Sequence, residues 1–140
     1  MASSVTRLGV SLPSELVTAF DALIERKGYR TRSEAVRDAM RNYLVAQQWE
    51  SMRGEVIGTV TLVFDHHTRE LTHVLTDLQH QLHEQIVCST HVHLDAHNCL
   101  EVIVVRGTAD QVRAMADHLI STRGVKHGRL VCTTTGTGLA

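Results

Sequence analysis

Aromatic residues make up only 4% of this 140-residue chain, which argues against a stacking platform for single-stranded nucleic acid. Net charge is -1 with histidines neutral, so no overall basic field draws the protein to nucleic acid or membrane. Three cysteines (Cys88, Cys99, Cys132) form no CxxC pair, which speaks against a disulfide framework and leaves reduced thiols free to pack or to bind metal. No run of eighteen apolar residues is present, so no transmembrane helix is expected. The opening residues lack the apolar core of a signal peptide, and a cytoplasmic location is expected. Histidine is absent from residues 1–65, yet ten occur between His66 and His127. At 15.6 kDa the chain has room for one ordinary domain or two small ones, and not for a large multidomain enzyme. Hydrophobic residues at 43% and charged residues at 21% are the composition of a folded protein.

Residues 1–50 hold seven Lys/Arg against six Asp/Glu, so any DNA contact there depends on where charges sit. Leu8, Val10 and Leu12 alternate with Arg7, Gly9 and Ser11, which is strand periodicity with one polar face. Pro13 suits a first helical turn, and Leu16, Val17, Phe20, Leu23 and Ile24 recur with helical spacing up to a Gly28 cap. Thr31-Arg-Ser-Glu34 has the form of a capping box opening a second helix. One strand and two helices bury little alone, so two copies are expected to pair their strands antiparallel. Such a ribbon fits the major groove of B-DNA. A small dimerisation module without DNA shares the same periodicity.

The run Arg7-Leu-Gly-Val-Ser-Leu, with Leu16, Gly28-Tyr29 and Thr31-Arg-Ser-Glu-Ala-Val-Arg-Asp38, resembles the ribbon-helix-helix repressors over residues 5–47. The resemblance implies that Arg7, Gly9 and Ser11 face the bases, although Gly9 departs from the usual polar residue and has no side chain to read one. Residues 51–54 read as a hinge, with Trp49 as either a buried anchor or a half-exposed packing residue.

Beyond the hinge, residues 55–64, 86–94, 99–106 and 129–134 read as strands, and 69–83 and 109–122 as helices. The order βαββαβ is the ferredoxin-like unit, expected over residues 55–134 with a low-complexity tail at 135–140. The chain is therefore expected to be α+β, a ribbon-helix-helix domain followed by a ferredoxin-like (ACT-type) domain. His91 and His93 share one strand face, and Cys99 returns beside them across the turn at 95–98. Two imidazoles and a thiolate suit Zn(II), Cu or Ni(II). An exposed face of histidines over a buried cysteine is the plainer alternative. His73, His80 and His83 on the 69–83 helix are candidates for a fourth ligand, and spacing alone does not choose among them.

The segment His91-Val-His-Leu-Asp-Ala-His-Asn-Cys-Leu-Glu101, with Thr122-Arg-Gly-Val-Lys-His-Gly128, resembles the nickel-responsive repressors of the NikR type across almost the whole chain. The resemblance implies one Ni(II) per subunit, square planar, held by His91, His93 and Cys99 with His80 from a facing chain. Glu101 would support these ligands. It implies a homotetramer, and a regulator of nickel-uptake genes that binds a palindromic DNA operator when nickel is bound. No enzyme activity, small-molecule substrate or membrane is implied. A further cation between the domains would use Glu34 and Asp38 with carbonyls near Ile120, Thr122 and Val125, and His66 and His83 could take extra metal. The rival readings are a ribbon-helix-helix antitoxin or regulator answering another effector, and a metal-handling protein that does not bind DNA.

Overall fold

The computed structural model describes residues 4–139, apart from the side chains of residues 69 and 70. Residues 1–3 and 140, the outermost parts of the expected first domain and tail, lie outside that description. The chain forms two compact units, one running up to Leu44 and including the tail from Gly136, the other spanning Val45–Thr135.

The first unit contains α1 (Ser14–Arg26) and most of α2 (Arg32–Ser51). Gly28 terminates α1 with φ +79°, a backbone conformation that side chains disfavour. Its N–H donates to Glu25 O, and the Tyr29 N–H donates to Ile24 O, both at 3.0 Å. This pair of bonds is a Schellman closure that satisfies the last carbonyls of the helix. At the start of α2 only half of the expected capping box forms. The Glu34 N–H donates to Thr31 Oγ1 at 3.2 Å, whereas the Glu34 carboxylate accepts from the N–H of Arg30 rather than of Thr31.

The strand expected over residues 6–12 is absent, because residues 4–13 take no regular structure. A single strand has no partner for its backbone groups within one chain, and strand structure requires one. Leu8, Val10 and Leu12 are exposed. Val10 and Leu12, with Leu16, Phe20, Val36 and Met40, line an apolar groove of about 750 Å³ in this unit. Ile24 and Ala35 are the buried apolar residues among those described here.

The second unit is a four-stranded antiparallel sheet with strand order β2-β3-β1-β4. Its elements are β1 (Val56–Asp65), α3 (Arg69–Gln81), β2 (Ile86–His93), β3 (Asn98–Gly107), α4 (Ala109–Ile120) and β4 (Val125–Thr133). This is the expected ferredoxin-like α+β arrangement. Residues of β1 alternate between buried and half-buried, so Val60, Leu62 and Phe64 face the core. There they meet Leu71 and Leu75 of α3 and Val112, Met115 and Leu119 of α4. A Thr108–Gln111 capping box starts α4. β4 begins four residues earlier than expected. Its first residues pair with β1 across a register shift at Val63/Phe64, which breaks the apolar alternation that marks a strand in sequence. At Gly128 a Cβ would come within 2.7 Å of Ile120 Cγ1, so only glycine lets β4 lie this close to α4.

α2 continues to Ser51, and Met52 then takes a positive φ of 54°. Trp49 is a buried anchor. Its indole N–H donates to Thr133 O at 2.8 Å, and the Arg113 guanidinium lies 5.6 Å from the ring centroid.

Candidate metal centre

The site forms at the end of the sheet where β2 turns into β3. The antiparallel register sets His93 opposite Cys99 and His91 opposite Glu101. Directly opposed residues share a face, so all four side chains lie on the core side of the sheet. β3 has neighbours on both edges and buries Cys99 and Glu101, whereas β2 is an edge strand and leaves His91 and His93 exposed. The turn is rigidly tied. Asp95 accepts from the Asn98 side-chain amide (2.9 Å) and from the backbone N–H groups of His97 (2.8 Å) and Asn98 (2.7 Å). These donors, the Asn98 side chain foremost, lower the Asp95 pKa to about 2.

Cys99 Sγ lies 3.3 Å from His93 Nδ1 and 3.4 Å from His66 Nδ1. The ligand atoms of His66, His93 and Cys99 are all within 4.8 Å of one another. Burial pushes the Cys99 thiol up, and the negative charges of Asp65, Asp95 and Glu101 push it further. A buried thiol with two imidazole nitrogens turned onto it is a soft and borderline donor set, and it fits a divalent late transition metal. Metal capture at this thiol releases its proton.

The sequence-expected ligands do not all meet within one chain. His93 and Cys99 come together. His91 stands next to them, with ring centroids 5.1 Å from His93 and 5.8 Å from Phe64. His66, expected only as a place for extra metal, sits directly on the thiol. Its place just past β1 puts it there, because the β1–β3 register pairs Phe64 with Cys99, and no local spacing in the sequence signals this. His80 lies exposed on α3 and is not among the grouped ligand atoms, and its carbonyl meets His83 Nδ1 at 3.1 Å. Glu101 is buried and accepts from Gln79 Nε2 at 2.7 Å, and Gln79 Oε1 in turn accepts from Ser89 Oγ at 3.1 Å. Spacing offered no signal for this Gln79–Ser89 support.

The other expected residues lie elsewhere. Arg7, Gly9 and Ser11 are exposed in the irregular segment before α1. Asp38 accepts from Tyr29 Oη at 2.8 Å and pairs with Arg41 at 3.2 Å, so both its oxygens are engaged within the first unit. In the second unit the Thr122 carbonyl accepts from the Val125 N–H at 3.1 Å, and Ile120 closes α4.

Residues 57–133 match the NikR C-terminal nickel-binding domain, and residues 6–47 match the ribbon-helix-helix proteins of the copG family. Relatives carrying the name "Putative nickel-responsive regulator" align over nearly the full length. One from a Geobacter species is 57% identical over 95% of this chain and 96% of its own. One from Geobacter metallireducens is 58% identical over 93% and 94%. A third, from Caldanaerobacter subterraneus, is 53% identical over 96% and 88%. These families and relatives are regulators, not enzymes. Among solved structures, an uncharacterized protein from Thermotoga maritima superposes with TM-score 0.52 over 58% of this chain and all of its own, at 16% identity, a likeness of fold alone.

Proposed function

The chain belongs to the nickel-responsive regulator family, and from that premise we propose that it is a repressor that grips a palindromic DNA operator when Ni(II) is bound. The observation that carries this reading is the buried Cys99 thiol with His93 Nδ1 at 3.3 Å and His91 alongside. His91, His93 and Cys99 would hold one nickel per chain, and His80 of a neighbouring copy would complete the set. When bound, nickel supplies charge and directional bonds that join two chains. Glu101 holds its place through Gln79 and keeps a carboxylate beside His91, and such supporting acceptors fix imidazole orientation.

Assembly into a homotetramer is supported by two uncovered apolar surfaces. One is the groove of the first unit, which a second copy's strand and helices would fill. The other is the sheet face opposite α3 and α4. There Val92, Leu100, Val102 and Val104 lie at best half-buried, and Val131 is exposed. Surfaces of this kind mark association. Paired strands would carry Arg7, Gly9 and Ser11 outward to the major groove. No helix among the described residues is long and apolar enough to cross a membrane, in keeping with a cytoplasmic DNA-binding protein. A further cation on Glu34 and Asp38 would share the Asp38 carboxylate with Tyr29 and Arg41.

Nickel and operator then each tighten the other by the same factor. A gel-shift titration of full-length protein with nickel, and with a chelator, tests the reading. Operator binding is expected to need nickel and to vanish with chelator. Cys99→Ala is expected to abolish the nickel dependence while leaving assembly intact. Nickel-dependent binding that survives Cys99→Ala overturns the ligand assignment.

The position of His66 supports a second reading of the ligand set, with His66 in place of His91. His91→Gln and His66→Gln separate the two. The variant that loses tight nickel binding identifies the true ligand.

A further inference from the structure

α2 is one continuous helix, yet it serves two units. The boundary between them falls at Leu44 and Val45, inside α2 and ahead of residues 51–54. Before the boundary its apolar residues belong to the first unit, where Val36, Met40 and Tyr43 line the groove. Beyond it, Val45 and Trp49 pack with the core of the second unit. Each residue advances about 100° around a helix. Val36, Met40 and Tyr43 therefore share one side of α2, and Val45 and Trp49 share the opposite side. The apolar stripe changes sides where the units divide.

The last turns of α2 are held chiefly by one side chain. Trp49 is 3% exposed. Its indole N–H donates to Thr133 O at the end of β4, and its ring carries the Arg113 guanidinium of α4. A tryptophan so placed combines a large apolar burial with a hydrogen bond and a cation–π attraction. Its neighbour opposes it. Gln48 Oε1 is buried with no hydrogen-bond partner, a cost that lasts as long as the segment stays docked. The chain then leaves through Met52 and Gly54, both at positive φ. An attachment strong at one residue and opposed at the next opens without unfolding the sheet.

We propose that Trp49 is a latch that builds the end of α2 into the second unit, so that the first unit pivots inside α2, at Leu44–Val45, and not in residues 51–54. With the latch closed, α2 is a stiff rod between the units, and rigid elements of this kind carry coupling. Release of Trp49 uncouples the units while each stays folded.

The test uses full-length protein and has one arm that needs no DNA. Arg53 is exposed just past the latch, so trypsin cleavage after it reports how often the end of α2 lifts. Trp49→Ala is expected to speed that cleavage by at least about tenfold, and Trp49→Phe, which keeps a ring but loses the N–H, by less. Gln48→Leu removes the opposing group and is expected to slow it. Retention of the thiolate-to-nickel absorption checks that the second unit stays folded in each variant. The second arm rests on the function proposed above and compares two insertions. One alanine after Leu44 turns the first unit by about 100° on α2 and is expected to abolish nickel-dependent operator binding. Gly-Ser after Arg53 only lengthens the loop and is expected to change that binding by no more than about threefold. Trp49 is the sole tryptophan, and its emission is expected to stay that of a buried indole in both insertions. Cleavage after Arg53 that Trp49→Ala leaves unchanged, or a loop insertion as damaging as the helix insertion, overturns the proposal. Wild type that fails to bind the operator with nickel counts against the proposed function, and cleavage and emission then decide the latch by themselves.

Discussion

α1 and α4 are nearly the same length and carry similar apolar stripes, yet they meet different fates. α4 buries Ala109, Val112, Met115, Ala116 and Leu119, whereas α1 buries Ile24 alone. The difference lies in what each helix packs against. α4 lies on a sheet whose strands come from its own chain. α1 and α2 line an apolar groove within their own unit, which holds no sheet among its described residues. A side chain such as Leu or Met is worth about 1.5–3 kcal/mol when fully removed from water. The exposed stripe of Leu16, Met40 and Leu44 is therefore a large unrealised gain that a second copy can supply. One unit buries its helical stripe within a single chain, and the other leaves its stripe uncovered.

The sharpest way to break this contrast is a charge in the groove. Met40→Asp is expected to abolish pairing of the first units and all detectable operator binding, while nickel binding stays near wild type. Sedimentation and gel shift, with calorimetry for nickel, check this. Unchanged operator binding would refute the dimer reading of the groove.

The second unit answers to its core. Leu119→Ala is expected to destabilise it by about 2–5 kcal/mol, measured by denaturant unfolding. Leu16→Ala, at the corresponding stripe of α1, is expected to cost far less in dilute protein and more as concentration rises. Equal effects at all concentrations would erase the distinction between the units.

Glu101→Gln tests the metal end of the second unit. It is expected to weaken tight nickel binding by about 10–100-fold with little change in folding. An unaltered affinity would mean that the carboxylate only packs.

The smallest effect concerns the turn. Asp95 has a folded pKa of about 2, below its ordinary value, so its contribution is full above the usual carboxylate range and is lost as pH falls toward 2. The melting-temperature gap between wild type and Asp95→Ala should be constant near neutrality and close between about pH 4 and pH 2. A gap that persists at pH 2 would mean that the turn is held by other contacts.

Most elements were legible because they declare themselves locally. β-branched composition marked β1, the turn at 95–98 marked the β2–β3 pair, helical spacing marked all four helices, and Gly28 marked the end of α1. β4 was read late because its bulged start lacks alternation. The strand before α1 could be read as a pattern, yet its hydrogen bonds need a second chain. At the metal centre, His93 and Cys99 were legible because a short turn brings them together. His66 lies 33 residues from Cys99 in sequence, and only the β1–β3 register joins them.

The sequence by itself determined the two-part organisation, the βαββαβ order and the placing of every histidine beyond residue 65. These follow from local periodicity and composition, which need no long-range contact. Tertiary structure alone decided that Trp49 is an anchor. It also set His66 on the thiol ahead of His91. Each of these depends on strand register and on which faces are covered, and only the folded chain sets both.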